Sequence, residues 1–383
     1  MNKRNLAIDV LRGLTMAVMV MVNDFWSYPD VPHILEHFAT MEDGMGLSDY
    51  VYPLFLFVMG MSIPYALDRR REKGKSDWDN FRHILGRTFA LLVMGVFLYN
   101  TEPPMAWNKG WYYILMIVGF FLVWNSYKED FKPAKWLKAL GIVILAALVI
   151  FYKREDGGLF RTGWWGILGQ IGWAYIFAST TYLLCKKREW VLGVLWVAFC
   201  LLNLSVVKMR SGEALIGHNV LWDFSNALHL ENGHIIIMAL GGVLTTLVER
   251  RLKSHKVLWG FGAAAVLAGL GFAAHQGWII SKNLGTLPWC LHVSAVGVAI
   301  YTLFRILEKN SLMGWSKPLA PAGTATLTVY MLPYIYTSLW YFFDMTAPAW
   351  LYGWVGVLKS ALLSAVCIFL TWCLGKLGIK LRI

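Results

Sequence analysis

The chain has 383 residues, 57% of them hydrophobic and 15% charged, and carries a formal net charge of +12. Soluble domains sit near about 45–50% apolar and roughly 25% charged, so this composition excludes an ordinary soluble fold. In a soluble protein +12 would suggest a nucleic-acid partner; here the basic residues cluster in short loops between apolar runs, which indicates orientation in a membrane and no nucleic acid.

The N-terminus, Met1 to Arg4, is basic and precedes an apolar run from Leu6 to Val22. The run contains Asp9 and Arg12 and lacks a small-residue cleavage site, so it reads as a retained first helix rather than a signal peptide. Apolar runs then recur to the end of the chain. They predict an all-α, polytopic integral membrane protein with about twelve spans, between ten and twelve. These lie at approximately 6–24, 48–67, 84–100, 111–126, 137–152, 163–184, 189–207, 233–249, 257–275, 287–306, 318–342 and 355–375. No internal repeat or low-complexity linker interrupts them, so residues 1–383 read as a single membrane domain. The cysteines, Cys185, Cys200, Cys290, Cys367 and Cys373, lie in or beside apolar runs with no CxxC spacing, which indicates neither a disulfide framework nor a metal site.

The Lys/Arg distribution sets the orientation. With the N-terminus inside, inner loops hold Arg69, Arg70, Arg71, Lys73, Lys75, Arg82 and Arg87, then Lys128, Lys132, Lys135 and Lys138, then Lys186, Lys187 and Arg188, then Arg250, Arg251, Lys253 and Lys256. The first outer segment has no Lys or Arg, and later outer segments have few, Lys282 among them. Both termini are therefore expected in the cytoplasm. Two outer segments are long, 25–47 and 208–232, and long structured loops more often bind something than short connectors do.

Asp9 and Arg12 are three apart, on one face of the first helix. A charge in hydrocarbon is costly unless paired or facing a cavity, so they read as an ion pair, either structural or helping to hold an anionic ligand. Asn23 and Asp24 close that helix, and His33, Glu36 and His37 follow. Ser48-Asp49 opens the next helix as an N-cap region, or Asp49 faces a site instead. A histidine beside a carboxylate can act as a general base, although an outer-loop histidine is more often simply solvated. The second long segment holds His218, Asp223, His229, Glu231 and His234 at spacings that match no common metal set. No Walker loop, Rossmann fingerprint or nucleophile elbow is present, so any activated donor must be held by the helices.

The stretch from Arg4 to Arg70 resembles the heparan-α-glucosaminide N-acetyltransferase family and its bacterial relatives. The matching elements are Asp9-x-x-Arg12-Gly13, Val22-Asn23, His37 fourteen residues later, Ser48-Asp49, Pro53 and Phe55-Leu56-Phe57-Val58-Met59-Gly60. Weaker echoes are Gly166 to Gly172, Lys282-Asn283-Leu284 and Gly323 to Tyr330. The chain departs from the pattern at Gly169 and Gln170, where Gln-Arg is usual, at Gly285 in place of Trp, and at Ala325 in place of Asn.

The resemblance implies a transmembrane acyltransferase that moves acetyl from cytoplasmic acetyl-CoA to an amino sugar or glycan on the extracytoplasmic side. It implies His37 as catalytic base or acetyl acceptor, Asn23 at the thioester carbonyl or oxyanion, and Asp49 or Glu36 as the carboxylate that fixes the histidine tautomer. For the donor it implies Asp9, Arg12, Gln170, Lys282 and Tyr330. No metal is expected. The implied setting is a bacterial cytoplasmic (inner) membrane, with lipids as further partners, the acceptor unnamed, and the oligomeric state open, a homodimer included. A transporter or flippase for a sugar or lipid-linked glycan is the competing reading, which the twelve runs and the intramembrane Asp9/Arg12 would suit; the missing inverted repeat counts against it.

Overall fold

The computed structural model describes residues 5–128, 130–185, 188–217, 220–227 and 229–383. Residues 1–4, Lys186, Lys187 and His218, named above, lie outside them.

The apolar runs fold as helices, and no β-strand occurs among the described residues. In chain order the helices are α1 (Leu6–Val22), α2 (Leu47–Glu72), α3 (Asp77–Tyr99), α4 (Lys109–Trp124), α5 (Ala134–Phe151), α6 (Ile167–Leu184), α7 (Trp190–Val206), α8 (Val220–Ala227), α9 (His234–Arg251), α10 (Lys256–His275), α11 (Leu287–Lys309), α12 (Ala320–Thr324), α13 (Thr326–Met331), α14 (Pro333–Phe342) and α15 (Trp354–Lys376). Among the described residues, eight helices are long and apolar enough to cross a membrane, against about twelve expected. Two further apolar helices, α4 and α7, are shorter, with 16 and 17 residues. The expected run at 318–342 is broken into α12, α13 and α14. One break falls at Ala325, whose φ of −130° and ψ of 43° leave the helical region. The other falls at Pro333, whose ring cannot donate a backbone hydrogen bond.

The chain divides into two compact units. The first comprises Met1–Thr15, His33–Leu85 and Trp173–Trp315. Its α2 and α9 pack backbone to backbone. A Cβ at Gly60 would lie 2.0 Å from the Ala239 carbonyl oxygen, and one at Gly242 would lie 1.9 Å from that of Phe57. Without a hydrophobic drive between helices in lipid, close approach over small residues supplies the contact energy. Polar groups near the ends of these helices pair with one another, although Nη2 of Arg71 and of Arg250 is buried without a hydrogen-bond partner among the described residues. Asp68 takes Arg250 at 2.7 Å, Arg71 at 3.2 Å and the Tyr182 hydroxyl at 3.0 Å. Glu249 accepts from the Tyr301 hydroxyl at 2.6 Å and from Arg305 at 3.1 Å.

The second unit comprises Met16–Pro32, Gly86–Gly172 and Ser316–Ile383. Here α4 and α5 interlock through glycines: a Cβ at Gly141 would stand 2.8 Å from Leu122 Cβ and 2.9 Å from Val123 Cγ2. The opposite side of α5 is open, with Ile142 58% and Val143 62% exposed. An apolar face of that kind suits acyl chains rather than water. The Lys359 ammonium is placed by Asp24 and Ser27, each at 2.6 Å, and sits among the rings of Tyr28, Tyr336 and Trp340. A cation in an apolar span persists only when paired in this way.

Candidate functional site

The first unit brings together His37, Asp49 and Lys282 from three separate stretches of chain. The α2 helix begins one residue earlier than the expected Ser48-Asp49 cap, with Gly46 as its N-cap. Gly46 is required there, because a Cβ would fall 2.1 Å from the Glu36 carbonyl oxygen where the loop folds back on the helix. Asp49 then occupies the third helical position, where its two carboxylate oxygens have different partners. Its Oδ2 accepts from the backbone N–H groups of Gly46 and Phe38, each at 3.1 Å, while Oδ1 meets His37 Nδ1 at 2.7 Å. A carboxylate in the first turn also sits favourably against the helix dipole. The Ser48 hydroxyl donates to the Leu35 carbonyl at 2.6 Å, so both residues fasten the histidine loop to α2.

The burial is asymmetric. The Asp49 side chain is 3% exposed and that of His37 is 47% exposed. One imidazole nitrogen is thus fixed against a buried carboxylate, while part of the ring remains exposed. An Nδ1–H held by a carboxylate leaves Nε2 as the nitrogen with a free lone pair. Beneath the pair, Trp289 Nε1 donates to the Asp49 carbonyl at 3.1 Å, and His234 meets the Trp289 ring edge-on at 5.7 Å.

Lys282 comes from the segment between α10 and α11. Its Nζ is 3.0 Å from His37 Nδ1, 3.2 Å from Nε2 and 4.0 Å from Asp49 Oδ1. Near-equal distances to two nitrogens of one ring put the amine against the imidazole face rather than along either lone pair. Burial pushes the Lys282 ammonium down to about 8, and the Asp49 charge only partly offsets this.

His33 is held elsewhere. The helical turn that could have put it on one face with His37 stops at Leu35. His33 pairs with Glu42 at 2.6 Å and stacks on Phe38. Glu42 also accepts from the Ala39 N–H, and this bond first, then His33, holds its carboxyl below the usual range. Asp43 ties the same loop to the Lys282 segment: it accepts from the Ile280 N–H at 2.8 Å and meets His275 at 2.9 Å and Arg210 at 2.7 Å. Neither acid stands out in the sequence. Lys282 is among the residues that the resemblance implies for the donor; its contact with His37 is what the sequence does not reveal.

Each of the remaining expected residues has its own surroundings. Arg12 pairs with Asp9 and donates to the Ser62 hydroxyl at 3.3 Å, within the first unit. Asn23, just past α1, is exposed. Gln170 donates to the Trp165 carbonyl at 2.7 Å, and buried Tyr330 meets Tyr334 edge-on. These last three belong to the second unit. In the other long segment, His229 pairs with Glu231 at 3.0 Å, and His234 is buried at the start of α9. No group of three or more His, Cys, Asp or Glu able to hold a metal occurs among the described residues.

A family profile described as a domain of unknown function (DUF5009) matches residues 4–232, which include His37 and Asp49. The chain belongs to this family. It is also similar to two curated proteins named heparan-alpha-glucosaminide N-acetyltransferase. The protein from Mus musculus is 28% identical over 370 residues, covering 85% of this chain and 52% of that relative. The one from Homo sapiens is 27% identical over 110 residues, 27% of this chain and 15% of that relative. The DUF5009 chain therefore spans about half the length of the mouse relative, and the resemblance seen in the first 70 residues extends well beyond them.

Proposed function

We propose that this protein is a transmembrane acetyltransferase that moves acetyl from cytoplasmic acetyl-CoA to an amine or hydroxyl of an amino sugar or glycan on the extracytoplasmic side. The observation that carries the reading is the half-exposed His37 ring on buried Asp49, in a chain similar to proteins named as acetyltransferases.

The chemistry follows from that pair. The acceptor nitrogen or oxygen attacks the thioester carbonyl while His37 Nε2 takes its proton; Asp49 holds the other ring nitrogen and balances the imidazolium. The new N–C or O–C bond forms, the C–S bond breaks, and the CoA thiolate recovers the proton from the ring. Alternatively the ring itself takes the acetyl group and passes it on. The position of Lys282 supports a place in the chemistry in addition to donor binding, since an ammonium at the ring can face the developing oxyanion. Asn23 is assigned to the thioester carbonyl, and Asp9, Arg12, Gln170 and Tyr330 to the donor, by resemblance.

The test is acetyl transfer by purified protein from acetyl-CoA to a panel of amino sugars and glycans, alongside acetyl-CoA binding. Wild type should transfer, and folded His37→Ala should bind donor without transferring. Wild type that neither binds acetyl-CoA nor is stabilised by it would remove the reading.

A further inference from the structure

A second feature of the first unit lies along α9, α10 and α11. These helices, with Phe57 of α2 and Trp196 of α7, line a partly open cavity of about 1120 Å³. Its lining on α11 runs from Ser294 to Asn310, about 24 Å of helix at 1.5 Å per residue. The cavity is therefore long rather than round. It is also larger than the roughly 300–1,000 Å³ usual for small-ligand sites. The middle is apolar, with Leu244, Val266, Leu267 and Leu270 among the lining.

Two observations identify the kind of occupant. First, the α10 wall is open to the side. Only 6% of its span is buried, and the lining residues Trp259 and Val266 are 58% and 62% exposed. In a bilayer such a wall gives access from the lipid. Second, the charge sits at one end, where α9 finishes, α10 starts and α11 finishes. The acids there are committed to Arg305, which meets Glu249 at 3.1 Å and Glu308 at 2.5 Å. Lys253, Lys256 and Lys309 line the same end and make no ion pair among the described residues. An apolar cleft with uncommitted cations at its mouth is complementary to a molecule with acyl chains and an anionic head. The Lys/Arg asymmetry puts that mouth at the cytoplasmic leaflet, where anionic lipids concentrate.

We propose that this cavity is a binding site for an anionic phospholipid, its chains along α10 and α11 and its phosphate on Lys253, Lys256 and Lys309. The site stands apart from His37 and does not depend on the acetyltransferase reading.

Native mass spectrometry and thermal melting of detergent-purified full chain, with phosphatidylglycerol or phosphatidylcholine added, test it. Wild type should retain phosphatidylglycerol preferentially and melt higher with it. The triple variant Lys253→Gln/Lys256→Gln/Lys309→Gln, altered only at exposed side chains, should lose at least about tenfold of that preference. Ala263→Trp, which fills the cavity, should lower retention of both lipids. Equal binding of the two lipids by wild type, or retention unchanged in either variant, would overturn the site. Displacement of the bound lipid by acetyl-CoA, with the same sensitivity to the lysines, would assign the cavity to the acyl donor and overturn it as well.

Discussion

Gly285 and His234 occupy one space. Gly285 has φ of +61°, and a Cβ there would stand 2.5 Å from His234 Nδ1. The resemblance drawn from the sequence would put Trp at this position; here the buried imidazole lies where a side chain at 285 would begin. A non-glycine residue at φ > 0 costs about 1–2 kcal/mol by itself. Gly285→Ala should therefore lower thermal stability by at least that amount, and by more while His234 is present. His234→Ala should relieve the steric part only. A double-mutant cycle by melting in detergent measures it, and additive losses would show that the two do not compete for space.

His37→Ala should lose at least about 10²-fold in turnover while the protein still folds, since a positioned base contributes roughly 10²- to 10⁴-fold. His33→Ala should cost only a few-fold, because its partners are Glu42 and Phe38. A dead His33→Ala beside an active His37→Ala would show that the wrong histidine was assigned. Asp49→Asn should also reduce turnover by about 10²-fold or more, because an amide NH₂ can face Nδ1 and reverse the tautomer. Turnover per folded molecule, measured with stability on one preparation, separates chemistry from packing.

Lys282 predicts a pH dependence. Its folded value is depressed to about 8 from 10.5, so between those values the unfolded chain binds more protons than the folded one. Stability then rises with pH across that window, and below about 8 the buried charge costs its full amount. Melting temperatures of wild type and Lys282→Met, compared from pH 7 to 10, should converge or cross as pH rises, with wild type gaining. A constant difference would mean that Lys282 titrates normally. Turnover should fall over the same range if the charged amine faces the oxyanion.

Asp9 and Arg12 should couple. Each side chain is less than a quarter exposed, so removing one leaves a poorly solvated charge. Asp9→Asn and Arg12→Gln should each destabilise by roughly 1–3 kcal/mol, the cost of leaving a partly buried polar group without its partner, and the double variant by less than their sum. Additivity in the cycle would reject the pairing.

The histidine loop is expected outside. Met41, 67% exposed, is a suitable reporter. A membrane-impermeant thiol reagent should label Met41→Cys in intact cells, with the native cysteines replaced. Labelling only after the cells are opened would reverse the topology.

Long apolar runs made the helices legible, because bilayer thickness imposes a length that composition reveals directly. Residues 318–342 read as one span because local breaks at Ala325 and Pro333 leave hydropathy unchanged. At the site, His37 and Asp49 were legible because they lie twelve residues apart in one motif. Lys282 against His37 was not, since it is 245 residues distant and only tertiary folding joins them. Asp43, His275 and Arg210 were hidden for the same reason.

The close fit of α4 to α5 bears on which substitutions the chain can absorb. Gly141 faces Leu122 and Val123 with no room for a methyl group, whereas its neighbours Ile142 and Val143 point away from the protein. Adjacent codons therefore carry opposite constraints. In a saturation library scored for folded protein, position 141 should accept almost nothing beyond glycine. Positions 142 and 143 should accept most apolar residues interchangeably and reject charge. That alternation along α5, with tolerance set by lipid on one side and by protein on the other, would map the helix's orientation from genetics alone.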